Sequence, residues 1–368
     1  MRIKKLQIRN FKSLVDFELE NLKPFCAFVG PNASGKSNIF EALEFTNYVA
    51  RFSTEAPDFF GGRRLVLSYS NKLLKSTSTK SSISLDCIFD DGIGIDFLGI
   101  FPDEPEGFSN FALVYNTYDS MKQFAGGMLP IFDIKDLAKR NHFLQKRQET
   151  SNQKYSNDYE QFIDNFSRIF VGKSSLNRIP SINTKLTPDA SNLPQIIGMI
   201  LESEQKRNDF TEWLRILIPE FQNIEVKKSN IDGSFDFFIH EKGAAKPFSR
   251  NLISDGTYNI LSLMAAVYQS NQPQFLCIEE PENGLHPQAI ELLVDFFREK
   301  CEEEGHHIWL NTHSQTLVRS LEIDEIILVN KVDGQTRARQ HTKEDKIDIK
   351  TDEAWLSNAL GGGVLWSK

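Results

Sequence analysis

A chain of 368 residues, 40% hydrophobic and 25% charged, is long enough for one large or two ordinary globular domains, and its composition excludes wholesale disorder. A formal net charge of -8 excludes a uniformly basic nucleic-acid coat, though not a local basic patch. Cys26, Cys87, Cys277 and Cys301 lie far apart with no CxxC pair, which excludes a zinc ribbon, a thioredoxin-type motif and a disulfide framework.

The opening, Arg2 to Phe11, alternates apolar and polar residues as a half-buried strand does, and Leu14 to Leu19 reads as its partner. Phe25 to Val29 is a continuous apolar run of strand length that stops at Gly30-Pro31-Asn32, as a strand covered on both faces would. After Lys36 the spacing turns helical, with Ile39, Phe40 and Leu43 on one side and Glu41 and Glu44 on the other. Beyond the Gly61-Gly62 turn, further strands are expected at Ile83 to Phe89, Ile93 to Phe101 and Phe111 to Tyr115. Residues 131–172 read as a polar helical insertion carrying Lys135, Lys139, Arg140, Lys146 and Arg147. Those cations form either a solvated helix face or a contact surface for nucleic acid or a partner.

Helices follow at Gln195 to Leu201 and Phe210 to Leu217, then strands at Ile224 to Lys228 and Phe235 to His240. The last third alternates helix and strand: Gly256 to Gln269, Gln274 to Ile278, Pro287 to Lys300, His307 to Asn311, Ser314 to Ser320 and Ile326 to Val329. Such alternation predicts a parallel sheet with helices on both faces. Three parts result: residues 1–118, 119–190 as the helical insertion, and 191–368. No run reaches the roughly 18 apolar residues that span a bilayer, and Met1 to Lys5 lacks a secretory h-region, so a reduced cytoplasmic protein is expected. With 29 phenylalanines, its core should be aromatic-rich.

Gly30-Pro31-Asn32-Ala33-Ser34-Gly35-Lys36-Ser37 satisfies G-x-x-x-x-G-K-[ST] between an apolar strand and an amphipathic helix. In that setting the loop Gly30-Pro31-Asn32-Ala33-Ser34-Gly35-Lys36-Ser37-Asn38 binds the phosphates, its backbone N–H groups (Pro31 has none) converging on phosphate oxygens at a helix N-terminus. Lys36 adds a full charge and the Ser37 hydroxyl a magnesium ligand. The run Phe275 to Ile278 ends in Glu279 and Glu280, at the strand end where an open α/β sheet places its ligand. Glu279 is expected to hold magnesium and Glu280 to polarise the attacking water. Glu282 suits a solvated turn. Ile308 to Ser314 is a second apolar strand whose end presents His313, placed to sense a γ-phosphate. Ser254, Asp255 and Gly256 open an apolar helix and form either a second anion-binding end or a plain N-cap.

In this order, together with Ile8-Arg9-Asn10-Phe11-Lys12-Ser13-Leu14 and Asp189 to Leu193, these motifs resemble the ABC-type ATPase heads of the RecF/SMC/OLD class. They look most like the AAA-21-type stand-alone bacterial ATPases of AbiL, PARIS and Septu-type anti-phage systems. The resemblance implies an α/β ABC-ATPase-like P-loop fold of two lobes, with a mixed or parallel sheet flanked by helices. It implies ATP and Mg2+ as ligands and hydrolysis of ATP, with Lys36, Glu280 and His313 catalytic. By the same resemblance two copies close head to tail as a homodimer or higher even oligomer. Ser254 and Gly256 then bind the γ-phosphate in trans, and Asn283 to His286 form the D-loop. A separate effector, a nuclease or TOPRIM-like protein, is the implied partner, DNA or RNA another, and no membrane is involved.

Glu279 departs from the usual Asp, and His286 stands where transporter heads carry Asp. Gln123 is one of several candidates for the Q-loop, and Asn10, Phe11 and Lys12 for the adenine platform. Three other readings compete. A RecF-like DNA clamp would share the chemistry and differ in its surface. A self-contained OLD-type nuclease ranks lower, because 55 residues after His313 are short of a domain of about 100–150 residues and Asp324-Glu325 read as a solvated turn. A transporter ATPase ranks last.

Overall fold

A computed structural model of the protein describes residues 3–52, the strand segments 80–89, 93–102, 110–117 and 127–129, and residues 162, 164–171, 184–229, 233–345 and 349–360. Residues 131–161 with their cations, Gln123, the Gly61-Gly62 turn and the Gly361-Gly362-Gly363 terminus lie outside the described residues.

Three sheets organise the described chain. Strands β1 (Ile3–Phe11), β2 (Leu14–Glu20), β4 (Lys80–Phe89), β5 (Ile93–Pro102), β6 (Asn110–Thr117) and β7 (Gly127–Leu129) form an antiparallel sheet in the order β2-β1-β4-β5-β6-β7. The central sheet runs β15-β14-β3-β13-β12-β8, built from β3 (Phe25–Val29), β8 (Phe166–Ile169), β12 (Phe275–Glu279), β13 (His307–Thr312), β14 (Ile326–Val332) and β15 (Gln335–Gln340). All of its pairings are parallel except β14 with β15. A small antiparallel sheet, β11-β10-β9, comprises β9 (Phe221–Lys228), β10 (Phe235–Glu241) and β11 (Phe248–Ser249).

The helices are α1 (Lys36–Phe52), α2 (Leu193–Glu202), α3 (Glu204–Leu217), α4 (Asp255–Tyr268), α5 (Pro287–Glu303), α6 (Gln315–Arg319) and α7 (Thr351–Leu356). Helix α3 starts six residues before the expected Phe210, because the apolar period that marks a buried face is missing from its polar first turns.

Alternation along the central strands divides them between two cores. Ala27, Val29, Leu276, Ile278, Ile308 and Leu310 face α2, α4 and α5. Cys26, Phe28, Phe275, Cys277 and Trp309 face α1 and the antiparallel sheet. The second core is the aromatic one: Phe28 meets Phe40 edge-on at 5.4 Å and Phe275 meets Trp309 at 4.7 Å. Strands buried on both faces read as unbroken apolar runs, which is why β3, β12 and β13 were visible in the sequence.

Strand β8 falls inside the stretch read as an insertion, yet it pairs in parallel with β12, Ile169 opposite Ile278. The described residues after about 162 therefore belong to the central body. Two further expectations change. Asp324 and Glu325 are no solvated turn: Asp324 pairs with Lys23, and Arg298 forks onto the buried Glu325 at 2.9 and 3.0 Å. Phe11 is wholly buried against Phe45, so it offers no surface on which an adenine could stack.

Candidate active site

Parallel register brings three strand ends together. Val29 lies opposite Thr312, and Glu279 opposite Asn311, so the turns after β3, β12 and β13 share one edge of the sheet. The turn after β3 is the Gly30–Ser37 loop, whose Ala33 (φ 62°) and Gly35 (φ 99°) adopt the left-handed conformation that curls the backbone around a cavity. A Cβ at Gly35 would collide with the Thr336 and Ser13 hydroxyls. Those hydroxyls brace the loop from behind. Thr336 Oγ1 donates to Ser34 O at 2.9 Å, Ser13 Oγ lies 2.6 Å from Thr336 Oγ1, and Asn38 Nδ2 donates to Ser13 Oγ at 2.6 Å.

The buried Lys36 ammonium donates to the carbonyls of Gly30 (2.8 Å) and Pro31 (2.9 Å) within its own loop. Burial lowers its pKa, opposed by the carboxylates of Glu280, Glu279 and Glu282. Ser37 Oγ donates to Glu279 Oε2 at 2.6 Å, and Asn311 Nδ2 donates to Ser37 Oγ at 3.1 Å. Glu280, in the left-handed region at φ 48°, is a strained non-glycine position. It is pinned by its N–H to Asn311 O (2.8 Å) and by Asn283 Nδ2 on Oε2 (3.0 Å). His313 Nδ1 stands 3.6 Å from Glu280 Oε1.

Glu282 is buried rather than solvated, and it accepts the Thr312 hydroxyl at 2.6 Å. This ties the turn after β12 to Thr312, the last residue of β13, next to His313. His286 caps α5, its Nδ1 accepting from Gln288 N at 3.3 Å.

Lys36, Ser37, Glu279, Glu280, Asn311 and His313 are thus one cluster. Ser254, Asp255 and Gly256 stand apart from it: among the described residues no hydrogen bond joins them to 30–38. Ser254 Oγ caps α4 through Thr257 N at 3.1 Å. Gly256 packs against the D-loop of its own chain, where a Cβ would sit 3.3 Å from the Gly284 carbonyl carbon and nearer still to its oxygen. Asn259 Nδ2, one turn on, donates to Pro281 O (3.0 Å) and Asn283 O (2.8 Å). The first turns of α4 and residues 281–284 are one packed unit.

The site fits a nucleoside triphosphate with a hard divalent cation. Ser34 Oγ and Asn311 Oδ1 are buried without a partner, Lys36 satisfies itself only on loop carbonyls, and Ser37 with Glu279 offers oxygen donors of the kind magnesium takes. Sequence reasoning did not find Thr336, Asn259, Glu44 or Arg168. For Thr336 a signal existed: Asp333-Gly334, both at positive φ, is a two-residue hairpin turn that announces β15. A lone arginine in the short run Phe166 to Val171 carried none.

Residues 106–319 match the AAA_21 family, described as "AAA domain, putative AbiEii toxin, Type IV TA system", and residues 1–191 match AAA_15, an AAA ATPase domain. A Helicobacter pylori protein described as an ATP/GTP phosphatase is 20% identical over 365 residues, 91% of each chain. The chromosome partition protein Smc of Methanocaldococcus jannaschii is 49% identical over 43 residues, 12% of this chain and 4% of that one. An Smc head solved with the C-winged helix domain of ScpA superposes with a TM-score of 0.56 at 16% identity, covering 95% of this chain and 100% of that one. A Pyrococcus furiosus Smc head bound to the C-terminal domain of ScpA gives 0.50 at 14%, covering 93% and 97%. The fold is that of an SMC-type, ABC-like ATPase head, and no helix among the described residues is long and apolar enough to cross a membrane.

Proposed function

The chain belongs to the AAA_21 and AAA_15 families of AAA ATPase domains and is an ATPase, and from that premise we propose that it works as an ATP-driven conformational switch closed by a second copy of itself. The observation that carries this reading is the division of the site. Phosphate loop and carboxylates sit on one sheet edge, while the first turn of α4 packs on Gly284 of its own chain and, among the described residues, makes no hydrogen bond to residues 30–38. A neighbouring copy that offers Ser254 and Gly256 across the gap completes the phosphate cage.

In this reading Lys36 leaves the carbonyls of Gly30 and Pro31 for the β- and γ-phosphates, and the backbone N–H groups of Asn32, Ala33, Gly35, Lys36 and Ser37 hold the remaining oxygens. Ser37 and Glu279 hold magnesium, which supplies charge neutralisation at the phosphates. Glu280, aimed by Asn283 and Asn311, orients the attacking water and takes its proton. His313, beside Glu280, contacts the γ-phosphate and reports its loss to Glu282 through Thr312. The division into residues 1–118, an insertion within 119–190 and 191–368 belongs to the same proposal. So does a role in anti-phage defence or a toxin–antitoxin pair with a separate effector. The family description supports the toxin–antitoxin reading, and an Smc head solved holding another protein supports a separate partner.

A complementation experiment tests the split site. Lys36→Ala and Ser254→Arg chains, each inactive alone, should recover part of the ATPase rate when mixed, because one of the two pockets in the mixed dimer is intact. Glu280→Gln should also dimerise with ATP and magnesium in light scattering. No recovery on mixing, together with a Glu280→Gln chain that stays monomeric, would refute the proposal.

A further inference from the structure

Arg168, on the strand at the edge of the described central sheet, takes no part in the scheme above. The register of β8 on β12 sets it opposite Cys277, on the face that α1 covers and one pleat short of Glu279. Its Nε donates to Glu279 Oε1 at 2.7 Å, and Nη2 reaches the same oxygen. On its other side Nη1 donates to Glu44 Oε2 of α1 at 2.7 Å. The side chains of Arg168, Glu44 and Glu279 are 6%, 9% and 2% exposed, so these contacts form out of water, where a fork of fixed geometry dictates orientation.

We infer that Arg168 is the positioning residue that aims the metal-side carboxylate Glu279, and that Glu stands in place of Asp at 279 because it must span from Arg168 to Ser37. This rests on the assignment of Glu279 to magnesium made above. The two oxygens of Glu279 do different work. Oε1 is claimed by the guanidinium, while Oε2 faces the phosphate loop and takes the Ser37 hydroxyl at 2.6 Å and Asn311 Nδ2 at 3.4 Å. An aspartate, shorter by one C–C bond of about 1.5 Å, cannot keep both contacts from the same backbone position. Pinning one oxygen presents the other in a single direction, which is how residues behind a ligand raise metal affinity. The bland alternative, that Arg168 merely ties β8 to α1 through Glu44, predicts an effect on stability and none on the metal.

The experiment reads metal binding without turnover. Mn2+ is titrated into protein loaded with a non-hydrolysable ATP analogue and followed by electron paramagnetic resonance, alongside the magnesium activation of ATPase. Arg168→Lys, which keeps the charge and loses the fork, and Glu279→Asp should each weaken Mn2+ about 10–100-fold, with the analogue's own affinity in metal-free buffer unchanged. The double variant should be no weaker than the worse single one, since both break the same contact.

Loss of Arg168 orphans two buried carboxylates and can prevent folding. Arg168→Gln is therefore made together with Glu44→Gln, and the same loss is expected. Mn2+ affinity within twofold of the parent in folded Arg168→Lys and in the paired variant would overturn the inference. Glu279→Gln separates the two ideas. If it binds Mn2+ as the parent does, the assignment of Glu279 to the metal has failed. If it loses Mn2+ while the Arg168 variants keep it, only the positioning role has failed.

Discussion

Replacing Gly256 by alanine tests whether α4 and the turn at residues 281–286 act as one body within a single chain. The added methyl would lie 3.3 Å from the Gly284 carbonyl carbon and closer than 3.0 Å to its oxygen, and neither backbone atom can swing aside as a side chain could. Contact distances of about 3.5 Å require the turn to retreat by roughly 0.5–1 Å. Asn259 resists that retreat through its bonds to Pro281 and Asn283. Overpacking costs about 1–3 kcal/mol, and the gain of alanine over glycine in a helix returns up to about 1 kcal/mol, so the variant stays folded.

Its activity should suffer more. Glu280 is held by Asn283, a D-loop residue, and a misplacement near 1 Å can cost about 100-fold in rate. The assay pairs kcat at saturating ATP with hydrogen exchange of the 282–286 amides in nucleotide-free protein. A role for Gly256 only in trans, on a partner's phosphate, would lower kcat and leave nucleotide-free exchange as in the parent. Parental turnover with parental exchange would refute the steric argument itself.

Two further outcomes are expected. Thr336→Val keeps the shape and removes a buried hydroxyl that serves both Ser34 and Ser13. An unsatisfied buried partner costs about 1–3 kcal/mol, so binding of a fluorescent ATP analogue should weaken at least fivefold, and unchanged binding would show that the β14–β15 hairpin does not brace the loop. His306 is buried with Nδ1 accepting Gln274 N–H at 2.9 Å, and burial lowers its pKa against the opposing pull of Glu304. A depressed folded pKa means that the unfolded chain binds the proton first. The contribution to stability is therefore complete above the ordinary value near 6.5 and is lost as pH falls through the lower folded value. His306→Gln should flatten the decline of Tm between about pH 7 and 5.5. The flattening is partial, because His341 is depressed by burial in the same direction. Buried Glu44 and Glu282 have raised pKa values and act in the opposite sense, so the comparison is variant against parent. An identical slope in the two proteins would rule out His306 as a contributor.

Much of the site was legible because its chemistry is written in contiguous residues. The Gly30–Ser37 loop, the Glu279-Glu280 pair and Asn311 to Ser314 each follow an apolar run that can only be a covered strand, and parallel register then carries their ends to one edge. Polar elements were harder to see. Strand β15, Gln-Thr-Arg-Ala-Arg-Gln, lies at a sheet edge where one side meets solvent, so no apolar alternation marks it. Glu282, Asp324 and Glu325 looked like solvated acids because burial of a charge depends on a partner elsewhere: Thr312, Lys23 and Arg298 supply those partners.

The amino-acid order alone determined that the molecule is an ATPase and which candidate residues end its covered strands, since a phosphate-loop motif and a carboxylate pair are set by neighbours a few positions apart. Folding decided how those groups are held. Arg168 reaches Glu279 across 111 positions and Ser13 reaches Thr336 across 323, distances over which local pattern carries no information. Only a packed interior, where every buried charge and hydroxyl must find a partner, selects those pairings.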